Sequence, residues 1–591
     1  MRLYSRFHRT LWATAALALA AGVTACSDLS PAAEQQSVVD NPDYPGTPLS
    51  NALSAVAGTC VLATKQLTVP VGAAETVIIS RSTSGTGPFT LLFNGRSTCG
   101  GSALGPYTVA ATNGATGAGT VTSVVANLGT GGGTVVFDFS NGAFLAATGG
   151  TAALTATASA GSSAIKVKGT SAADKIYVGG TAAAPAVSVN NTHTDISAAG
   201  GGAFDVTVSG GPGADLISGQ ANASTGSAAF TGTLTIYGAA GDDTLLPGAS
   251  TSTLYGNDGN DTFQDGTSTT SGIDTVAFYG GAGTDTLDFR ARSAGGALTL
   301  LMNSTSTSNG TASGKSAGAE NLKIGDDIEV VYLSKYGDTI SPSLHGTTVN
   351  GGAGNDTFLA NSASSTGASP STGGTGKDVF NGGGGTDLID FSARTTAVTV
   401  VMDGKTVSGG AGESIVIGTD VENCTGGSGD DTITGNASAN YLRGGAGNDT
   451  LYGLDGDDTL DGQAGDDRLY GGNGDDVFVF STSTSPGNDT VYCGAGSNDT
   501  LDFSAVTGAV TINLGTGTSS TSAGSGSVTI GGTVDDCENA WGGSGTNTIT
   551  GNSLDNILDG NSGASSVLNG AGGVDTCMNP GAGGTMTNCE L

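Results

Sequence analysis

Basic and aromatic residues are scarce in this sequence. Its 591 residues include 19 Lys and Arg against 52 Asp and Glu, a formal net charge of −33, and only 5% are aromatic. A surface that binds nucleic acid needs Lys and Arg opposite the phosphates, so this composition argues against a nucleic-acid partner. It favours cation binding or a well-solvated surface. The length is too great for one ordinary core, and we expect several domains or a repeat array.

Residues that form common catalytic sites are also rare. The sequence has three histidines, at positions 8, 193 and 345, and no His-Glu-x-x-His pattern, which argues against a zinc protease of that type. One Gly-x-Ser-x-Gly pattern occurs around Ser316, but its flanks do not have the strand and helix that a nucleophile elbow requires. We interpret His193 and His345 as surface loop residues and expect that the chain is not an enzyme.

Only the N-terminus carries a long apolar run. Three arginines within the first nine residues precede LWATAALALAAGV, which has the plan of a signal peptide and is short for a membrane span. The run ends in Val-Thr-Ala-Cys at positions 23–26, which resembles the lipobox of bacterial lipoproteins. The resemblance implies that residues 1–25 are a lipoprotein signal peptide and that Cys26 anchors the exported chain at the outer membrane or cell surface. Ordinary cleavage near Ala25, with an extracellular product, is the alternative.

Seven cysteines follow Cys26, and an exported chain sits where disulfides persist. Two cysteines flank one strand-like region near the N-terminus, and the last two close a short loop at the C-terminus. Another pair lies in a sequence context similar to that of the C-terminal pair. Cys424 has no partner in this pairing, although sequence does not fix the connectivity. The candidates for disulfide bonds are Cys60, Cys99, Cys493, Cys537, Cys577 and Cys589.

The chain divides by composition into four parts. After the signal peptide, residues 26–48 are polar and contain prolines, as in a flexible tether. Residues 49–165 hold alternating apolar runs without Asp-rich repeats, which predicts a β-rich domain of unknown role. Residues 166–591 are repetitive, which favours a solenoid of stacked units.

A long repeat of about a hundred residues is visible in this last part. The segments TDTLDFRARSAGGALTL, TDLIDFSARTTAVTVVM and NDTLDFSAVTGAVTINL place Asp288, Asp390 and Asp502 in equivalent positions. Each segment is followed by a Glu-Asn pair, at 320–321, 422–423 and 538–539. A unit has therefore been copied.

A shorter period of nine residues runs from 426 to 479. It comprises GGSGDDTIT, GNASANYLR, GGAGNDTLY, GLDGDDTLD, GQAGDDRLY and GGNGDDVFV. Every unit begins with Gly and has an apolar residue at position eight. One apolar residue in nine cannot form a helix face. It predicts a strand of about three residues with one side chain inward, followed by a glycine-rich turn.

These units resemble the GGxGxDxUx nonapeptide of the RTX (repeats-in-toxin) calcium-binding family. The resemblance implies an all-β fold, a parallel β-roll or β-helix solenoid, here preceded by the β-rich N-terminal domain. Two nonapeptides would form one coil, and turns two units apart would hold Ca²⁺ between them. Carboxylate and carbonyl oxygens are the ligands that Ca²⁺ prefers, which accounts for adjacent Asp and Gly.

The resemblance assigns metal ligands at position six of each nonapeptide. The tandem run would hold up to four ions, the weakest of them beside Asn440, and a metal-free Gly/Asp turn is the alternative. In the last copy, Asn547 and Asn556 replace Asp, so residues 542–591 are expected to keep the fold without metal and act as a cap. The ligands are Asp431, Asp449 and Asp467 on one edge, Asn440, Asp458 and Asp476 on the other, and Asp243, Asp261, Asp285, Asp356 and Asp387 in scattered copies.

Together these features predict a calcium-binding repeat protein at the cell surface, with a role in adhesion, matrix or envelope structure. The membrane would be contacted through the lipid anchor alone, and a surface glycan or protein could be a further partner. A second hypothesis is a secreted polysaccharide-acting enzyme or glycan-binding protein, with residues 49–165 as the active part and the repeats as a calcium-dependent folding module. The family's usual secretion route uses no N-terminal signal peptide, so a toxin role is not expected.

Overall fold

The structure is a computed structural model. The signal peptide, the tether, Cys26, Cys60, Ser316, Glu320 and the three histidines lie outside the residues that it describes, as does the side chain of Cys99. Before residue 134 it describes only the backbone of the strands. Beyond that it describes 134–139, 154–158, 162–190, 196–200, 203–221, 228–265, 275–292, 296–302, 321–325, 327–341, 346–360, 377–410, 413–480, 487–521, 527–531, 536–561 and 565–590.

All regular elements in these ranges are β-strands. The described residues contain no helix long and apolar enough to cross a membrane. The first strands are β1 (Val61–Ala63), β2 (Gln66–Pro70), β3 (Thr76–Arg81), β4 (Phe89–Asn94), β5 (Thr98–Cys99), β6 (Ser102–Ala103), β7 (Tyr107–Ala111), β8 (Ser123–Asn127), β9 (Thr134–Asp138), β10 (Leu154–Ala158), β11 (Ser162–Lys168), β12 (Lys175–Thr181), β13 (Ala184–Val189) and β14 (Ile196–Gly200).

The middle of the chain continues with short strands separated by turns. They are β15 (Ala203–Pro212), β16 (Leu216–Ser218), β17 (Leu234–Ala240), β18 (Thr244–Leu246), β19 (Ser252–Asp258), β20 (Thr262–Gln264), β21 (Thr275–Ala282), β22 (Thr286–Asp288), β23 (Thr299–Leu301), β24 (Asn321–Ile324), β25 (Val330–Tyr332), β26 (Thr339–Ser341), β27 (Thr348–Ala353), β28 (Thr357–Leu359), β29 (Asp378–Gly384), β30 (Leu388–Asp390), β31 (Thr399–Val401) and β32 (Ile415–Ile417).

The C-terminal part contains the tandem nonapeptides. Its strands are β33 (Asn423–Thr425), β34 (Thr432–Thr434), β35 (Tyr441–Ala446), β36 (Thr450–Asp455), β37 (Thr459–Ala464), β38 (Arg468–Asn473), β39 (Val477–Val479), β40 (Asn488–Ala495), β41 (Thr500–Asp502), β42 (Val510–Asn513), β43 (Thr518–Thr521), β44 (Ser527–Ile530), β45 (Asn539–Trp541), β46 (Thr548–Thr550), β47 (Ile557–Asp559), β48 (Val567–Asn569), β49 (Thr576–Met578) and β50 (Thr585–Thr587).

The strands assemble into four long sheets in which most neighbours are parallel. Strands β5 and β6 form a separate pair. Sheet A has the order β1-β2-β8-β10-β14-β13-β12-β16-β18-β20-β22-β25-β27-β29-β32, sheet B β24-β21-β19-β17-β15-β11-β9-β3-β4-β7, sheet C β23-β26-β28-β30-β33-β35-β37-β39-β41-β45-β47-β49, and sheet D β31-β34-β36-β38-β40-β44-β43-β42-β46-β48-β50.

Two nonapeptides form one coil of a parallel β-solenoid, as the sequence predicts. Leu442 pairs with Leu460 in sheet C, and Leu451 pairs with Leu469 in sheet D, so strands 18 residues apart are neighbours. The apolar residue of each strand points between the two sheets, because successive side chains alternate faces. All six position-eight residues of the tandem run are fully buried: Ile433, Leu442, Leu451, Leu460, Leu469 and Phe478.

Stacked tyrosines on the outer faces show how closely the coils keep register. Tyr452, Tyr470 and Tyr492 lie on successive strands of sheet D with ring centroids 4.7 and 4.4 Å apart. Tyr237 and Tyr255 stack in the same way on sheet B at 4.9 Å. These distances match the spacing of hydrogen-bonded strands.

The sheets continue across the boundary expected near residue 165. Strands β2, β8 and β10 belong to sheet A, and β3, β9 and β11 belong to sheet B. Parallel pairing therefore begins before the first Asp-rich repeat, and Asn51–Leu591 form one compact unit.

The long repeat marks the places where a sheet of the solenoid ends or is interrupted, which we call wall changes. At the first copy, sheet C begins with β23 while sheet B ends with β24, and at the second, sheet D begins with β31 while sheet A ends with β32. At the third copy, β42, β43 and β44 form an antiparallel excursion within sheet D.

The same turn geometry follows the Asp-Phe pair at each of the three wall changes. The backbone N–H of Arg292, Arg394 or Val506 donates to the carbonyl of the Phe three residues earlier, at 3.0, 2.8 and 2.8 Å. Arg292 is buried and pairs with Asp265 at 3.1 Å, and Arg394 is buried and pairs with Glu413. Each ion pair holds the turn after the Asp-Phe pair to another segment of the chain.

Two disulfide bonds are present in the described residues. They join Cys493 to Cys537 and Cys577 to Cys589, while Cys424 is free and fully buried in the core. Burial raises the pKa of the Cys424 thiol, so this residue behaves as a small apolar core residue.

Candidate metal columns

The position-six aspartates stack into columns along the edges of the solenoid. The backbone N–H of Asp431 donates to Oδ1 of Asp449 at 2.7 Å, and that of Asp449 donates to Oδ1 of Asp467 at 2.8 Å. On the other edge, Asn440 donates to Asp458 at 2.7 Å and Asp458 to Asp476 at 2.9 Å. The structure thus brings together the residues that the 18-residue spacing groups.

Both columns extend beyond the tandem run. Asp467 donates to Asp489 at 3.0 Å, and Asp476 donates to Asp499 at 2.8 Å, after insertions that break the nine-residue period. Sequence reasoning missed Asp489 and Asp499 for that reason. Asp476 is therefore an interior member of its column and not the last one.

The scattered copies are stacked as well. Asp243 donates to Asp261, and Asp261 to Asp285, both at 2.8 Å. Asp356 donates to Asp387 at 2.7 Å. The copies that look isolated in sequence are thus neighbours in space, because loops of different length separate turns of the same shape. Further column members missing from the sequence prediction are Asp174, Asp215, Asp338 and Asp575.

The second carboxylate oxygen of most column members is buried without a hydrogen-bond partner. Buried acceptors are normally paired, and an unpaired one costs about 1–3 kcal/mol. Such an oxygen marks a place where a cation can bind. It is found as Oδ2 in Asp243, Asp261, Asp285, Asp356, Asp387, Asp449, Asp458, Asp467, Asp476, Asp499 and Asp575.

The glycine at position one makes room for this oxygen. A Cβ on Gly444 would overlap Oδ2 of Asp449 and lie 2.8 Å from the carbonyl oxygen of Gly462 in the next coil. Gly453 has the same relation to Oδ2 of Asp458 and the carbonyl of Gly471. A carboxylate oxygen and a carbonyl oxygen from successive coils therefore converge at each such glycine.

The conformation of position two decides whether the carboxylate is free. We call a turn open when the residue at position two has positive φ and Oδ2 is unpaired. Gly445 and Leu454 have φ of 115° and 88°, and Asp449 and Asp458 in their turns have a free Oδ2. In a closed turn, position two donates its N–H to the carboxylate instead, as Gly427 does to Asp431 at 2.7 Å.

Asp431 and Asn440 lie in closed turns. The side-chain amide of Asn440 donates to the carbonyl of Glu422 at 2.8 Å, and its Oδ1 accepts from the N–H of Asn436 at 2.8 Å. Asn556 likewise donates to the carbonyl of Glu538 at 2.8 Å. The amide N–H₂ donates to carbonyl oxygens that could otherwise bind a cation, which suits turns without metal.

The residues at position five form a second, exposed row. Asn448 donates its backbone N–H to Oδ1 of Asp430 at 2.8 Å, and Asp475 donates to Asp457 at 3.0 Å. These carboxylates are solvated and already satisfy backbone groups, so they tie coil to coil.

Burial raises the pKa of the column carboxyls from Asp243 to Asp575. The pKa of Asp449 is raised to about 7, first by burial and then by the charges of Asp467 and Asp431. Burial raises the pKa of Asp489 to about 8 and that of Asp467 to about 6. Because the unfolded value lies near 3.9, the charged carboxylates oppose folding above these pKa values unless a cation neutralises them.

Calcium affinity should therefore fall as the pH is lowered from about 8 to about 5.5, since protons compete for the same oxygens. Over the same range the calcium-free fold should gain stability, because carboxyls with a raised pKa take up protons in the folded state first. Calorimetric calcium titrations, together with the β-sheet circular dichroism of the calcium-free chain, at both pH values check this. Equal affinity at the two pH values contradicts the assignment of these carboxylates as ligands.

Five open turns place a residue other than glycine at the strained position two or its equivalent. They are Ala239, Asn257, Leu454, Gln463 and Ala571. Leu454 is 46% exposed, so its side chain gives up little burial in return for a φ of 88°. We expect Leu454→Gly to stabilise the protein by about 1 kcal/mol by removing the Cβ strain. Leu454→Ala, which keeps the Cβ, should not stabilise it in thermal unfolding, and a gain as large as that of Leu454→Gly would contradict the strain.

The donor set fits Ca²⁺. Within the described ranges, no three His, Cys, Asp or Glu side chains converge as a metal centre, so an ion would need backbone carbonyls in addition to carboxylates. Hard oxygen ligands of both kinds are what Ca²⁺ takes.

The comparisons with known proteins agree with this chemistry. A family model described as the RTX calcium-binding nonapeptide repeat (4 copies) matches residues 201–225, 237–264, 348–363, 371–393, 425–460 and 452–480. Among curated proteins, none matches the chain. The matched residues include the open turns of Asp243, Asp356 and Asp449. The chain is a protein that carries RTX calcium-binding nonapeptide repeats.

Proposed function

We propose that the protein is a calcium-stabilised scaffold exported to the cell surface, where it supports adhesion, matrix or envelope structure rather than catalysis. The observation that carries this proposal is the set of buried carboxylate columns, whose free oxygens recur from Asp243 to Asp575. Ions bound between successive coils would make a long, stiff solenoid out of coils that each bury few apolar side chains.

Export has independent support. The structure contains two disulfide bonds, Cys493–Cys537 and Cys577–Cys589, and disulfides persist in oxidising compartments. The sequence Val-Thr-Ala-Cys at 23–26 adds a lipid anchor to the proposal. RTX repeats and disulfides together suit a compartment in which calcium is plentiful.

The lipid anchor predicts that Cys26→Ser releases the protein from membrane fractions. The serine variant cannot be lipidated at this position, so the exported chain should appear in the soluble fraction. Fractionation followed by immunoblotting of wild type and variant measures this. Unchanged membrane partitioning removes the anchor from the proposal and leaves a free exported chain.

The surface role is tested by comparing cells that carry the wild-type chain with cells that carry Asp449→Asn and Asp458→Asn together. Calcium-dependent cell–cell or cell–surface attachment should fall in the variant and in wild-type cells treated with chelator. Asp430→Asn with Asp457→Asn is the matched control, because it removes two exposed charges and keeps the hydrogen bonds of position five. Attachment that is equal in all strains, including one without the protein, contradicts the proposal.

A further inference from the structure

At each wall change, a nonapeptide turn stacks on a turn of a different kind. Residues 327–329, 420–422 and 536–538 have the sequence Asp-x-Glu, where x is a buried Ile, Val or Cys. The Glu accepts the backbone N–H of the column aspartate one coil earlier. Asp285 donates to Glu329 at 2.7 Å and Asp387 to Glu422 at 2.8 Å. In the third case Asp499 donates to Glu538 at 2.9 Å.

This arrangement corrects the alignment of the first long repeat. The Glu-Asn pairs of the sequence would make Glu320 equivalent to Glu422. The structure gives that place to Glu329, nine residues later, because Asp327 and Asp420 make the same contact. The backbone N–H of Gly281 donates to Asp327 at 2.8 Å, and that of Gly383 donates to Asp420 at 2.9 Å.

We call the contact between an Asp-x-Glu turn and the nonapeptide turn before it a junction. At the first two junctions, a carboxylate oxygen and a carbonyl oxygen converge as they do between two nonapeptides. A Cβ on Gly280 would overlap both Oδ2 of Asp285 and the carbonyl oxygen of Asp327. In the ordinary stack, the carbonyl of the next glycine lies there. At the second junction, Gly382 has the same relation to Oδ2 of Asp387 and the carbonyl of Asp420.

The aspartates that face these turns carry a buried oxygen with no hydrogen-bond partner. Asp285, Asp387 and Asp499 are each fully buried, and Oδ2 of each has no partner. Residues 321–341 and 536–541, which contain the first and third Asp-x-Glu turns, lie outside the segments matched by the nonapeptide model. An oxygen of this kind next to a second carboxylate is a place where a cation can bind, and among the described residues no basic side chain forms an ion pair with any of the three aspartates.

We propose that each Asp-x-Glu turn completes a calcium site with the nonapeptide turn before it. The ligands are Oδ2 of the column aspartate, the carboxylate of the Glu and, at the first two junctions, the carbonyl of Asp327 or Asp420. This inference rests on the proposed calcium binding and extends it to turns that are not nonapeptides. The ions fasten the coil on each side of a wall change.

The third junction is also held by a disulfide bond. Cys493, at position one of the turn that holds Asp499, forms a disulfide with Cys537 of the Asp-x-Glu turn. The first two junctions carry Ile328 and Val421 in place of that cysteine, so no covalent link spans them. Loss of the ion should therefore loosen the first two junctions more than the third.

The test counts calcium ions bound to the full chain with its disulfides intact. The variant carries Glu329→Gln, Glu422→Gln and Glu538→Gln, each of which keeps an oxygen to accept the aspartate N–H. Equilibrium dialysis should show about three fewer ions than wild type, one per substituted glutamate. The matched control carries Asp430→Asn, Asp457→Asn and Asp475→Asn and should bind as many ions as wild type.

A local readout covers the case in which the triple variant does not fold. Trp541 lies three residues after Glu538, and terbium bound at the third junction should emit on excitation of this tryptophan. Trp12→Phe removes the other tryptophan from any chain that keeps the signal peptide. In that background Glu538→Gln should lower the sensitised emission, and Glu329→Gln should leave it unchanged.

The outcomes separate the two proposals. A wild-type chain that binds no calcium overturns both. A wild type and control that bind calcium, with a Glu→Gln variant that binds the same number with the same affinity, overturn the Asp-x-Glu sites alone.

Discussion

In chelator the solenoid of residues 370–591 should lose its β-sheet circular dichroism, and calcium should restore it cooperatively. Each nonapeptide buries one apolar side chain, as Leu451 and Leu460 show, while about 1–2 kcal/mol is needed to order each residue. Buried carboxylates such as Asp449 and Asp467 oppose folding further when they are charged. Each ion joins two coils and so orders the next site.

Circular dichroism during a calcium titration, on the full chain and on 370–591 side by side, measures this transition. The full chain checks that the fragment does not unfold merely because its N-terminal neighbours are missing. A chain that is equally folded in chelator and in calcium, with no heat of calcium binding, is a plain β-solenoid.

Asp449→Ala should lower the free energy of unfolding in saturating calcium by about 3 kcal/mol or more. The variant leaves the buried N–H of Asp431 without its acceptor, which costs about 1–3 kcal/mol, and removes a ligand from the gaps on both sides. Asp476→Ala should cost a similar amount, because the column continues to Asp499. Asp431→Ala should cost less, since its turn is closed.

Asp449→Asn separates the metal from the hydrogen bond. The asparagine keeps an oxygen for the N–H of Asp431, and its amide can donate to a neighbouring carbonyl, as Asn440 does. The variant should be less stable than wild type in calcium and more stable than wild type in chelator, because a buried charge has been removed. Thermal unfolding in calcium and the residual β-sheet circular dichroism of both chains in chelator measure this reversal. An equal shift in the two conditions would mean that Asp449 acts through its hydrogen bond alone.

The turns and strands of the tandem nonapeptides at 426–479 could be predicted from the sequence. A nine-residue period with one apolar residue indicates strand length and turn position, because side chains alternate along a strand. The resemblance to the RTX nonapeptide implies the pairing of Asp449 with Asp467, which lies one coil away. The same period explains why Leu442 and Leu460 meet in the core.

The remainder depended on loops whose length carries no periodic signal. Asp261 and Asp285 are 24 residues apart and Asp356 and Asp387 are 31 apart, yet each pair is stacked. A period search misses them because the insertion leaves the sheet and returns to the same register. Glu329 was missed because its turn differs from the nonapeptide, and only the contact with Asp285 reveals it.

The difference between open and closed turns was also beyond the sequence. The units that contain Asp431 and Asp449 have nearly the same letters, GGSGDD and GGAGND. In the first, Gly427 donates to the carboxylate, and in the second, Gly445 has a φ of 115° and Asp449 is free. The coil before Asp431 contains a wall change and offers no nonapeptide turn for stacking. The carboxylate of Asp431 therefore accepts a hydrogen bond from Gly427 in its own turn.

Anomalous diffraction from crystals grown in calcium locates bound ions along the columns. We expect peaks between successive coils, each beside the free Oδ2 of a column aspartate, including Asp449, Asp458, Asp467 and Asp476. We expect no peak at the amide of Asn440. Crystals in which these oxygens contact only water or protein donors, with no calcium peak along either edge, would contradict the claim that calcium binds between the coils.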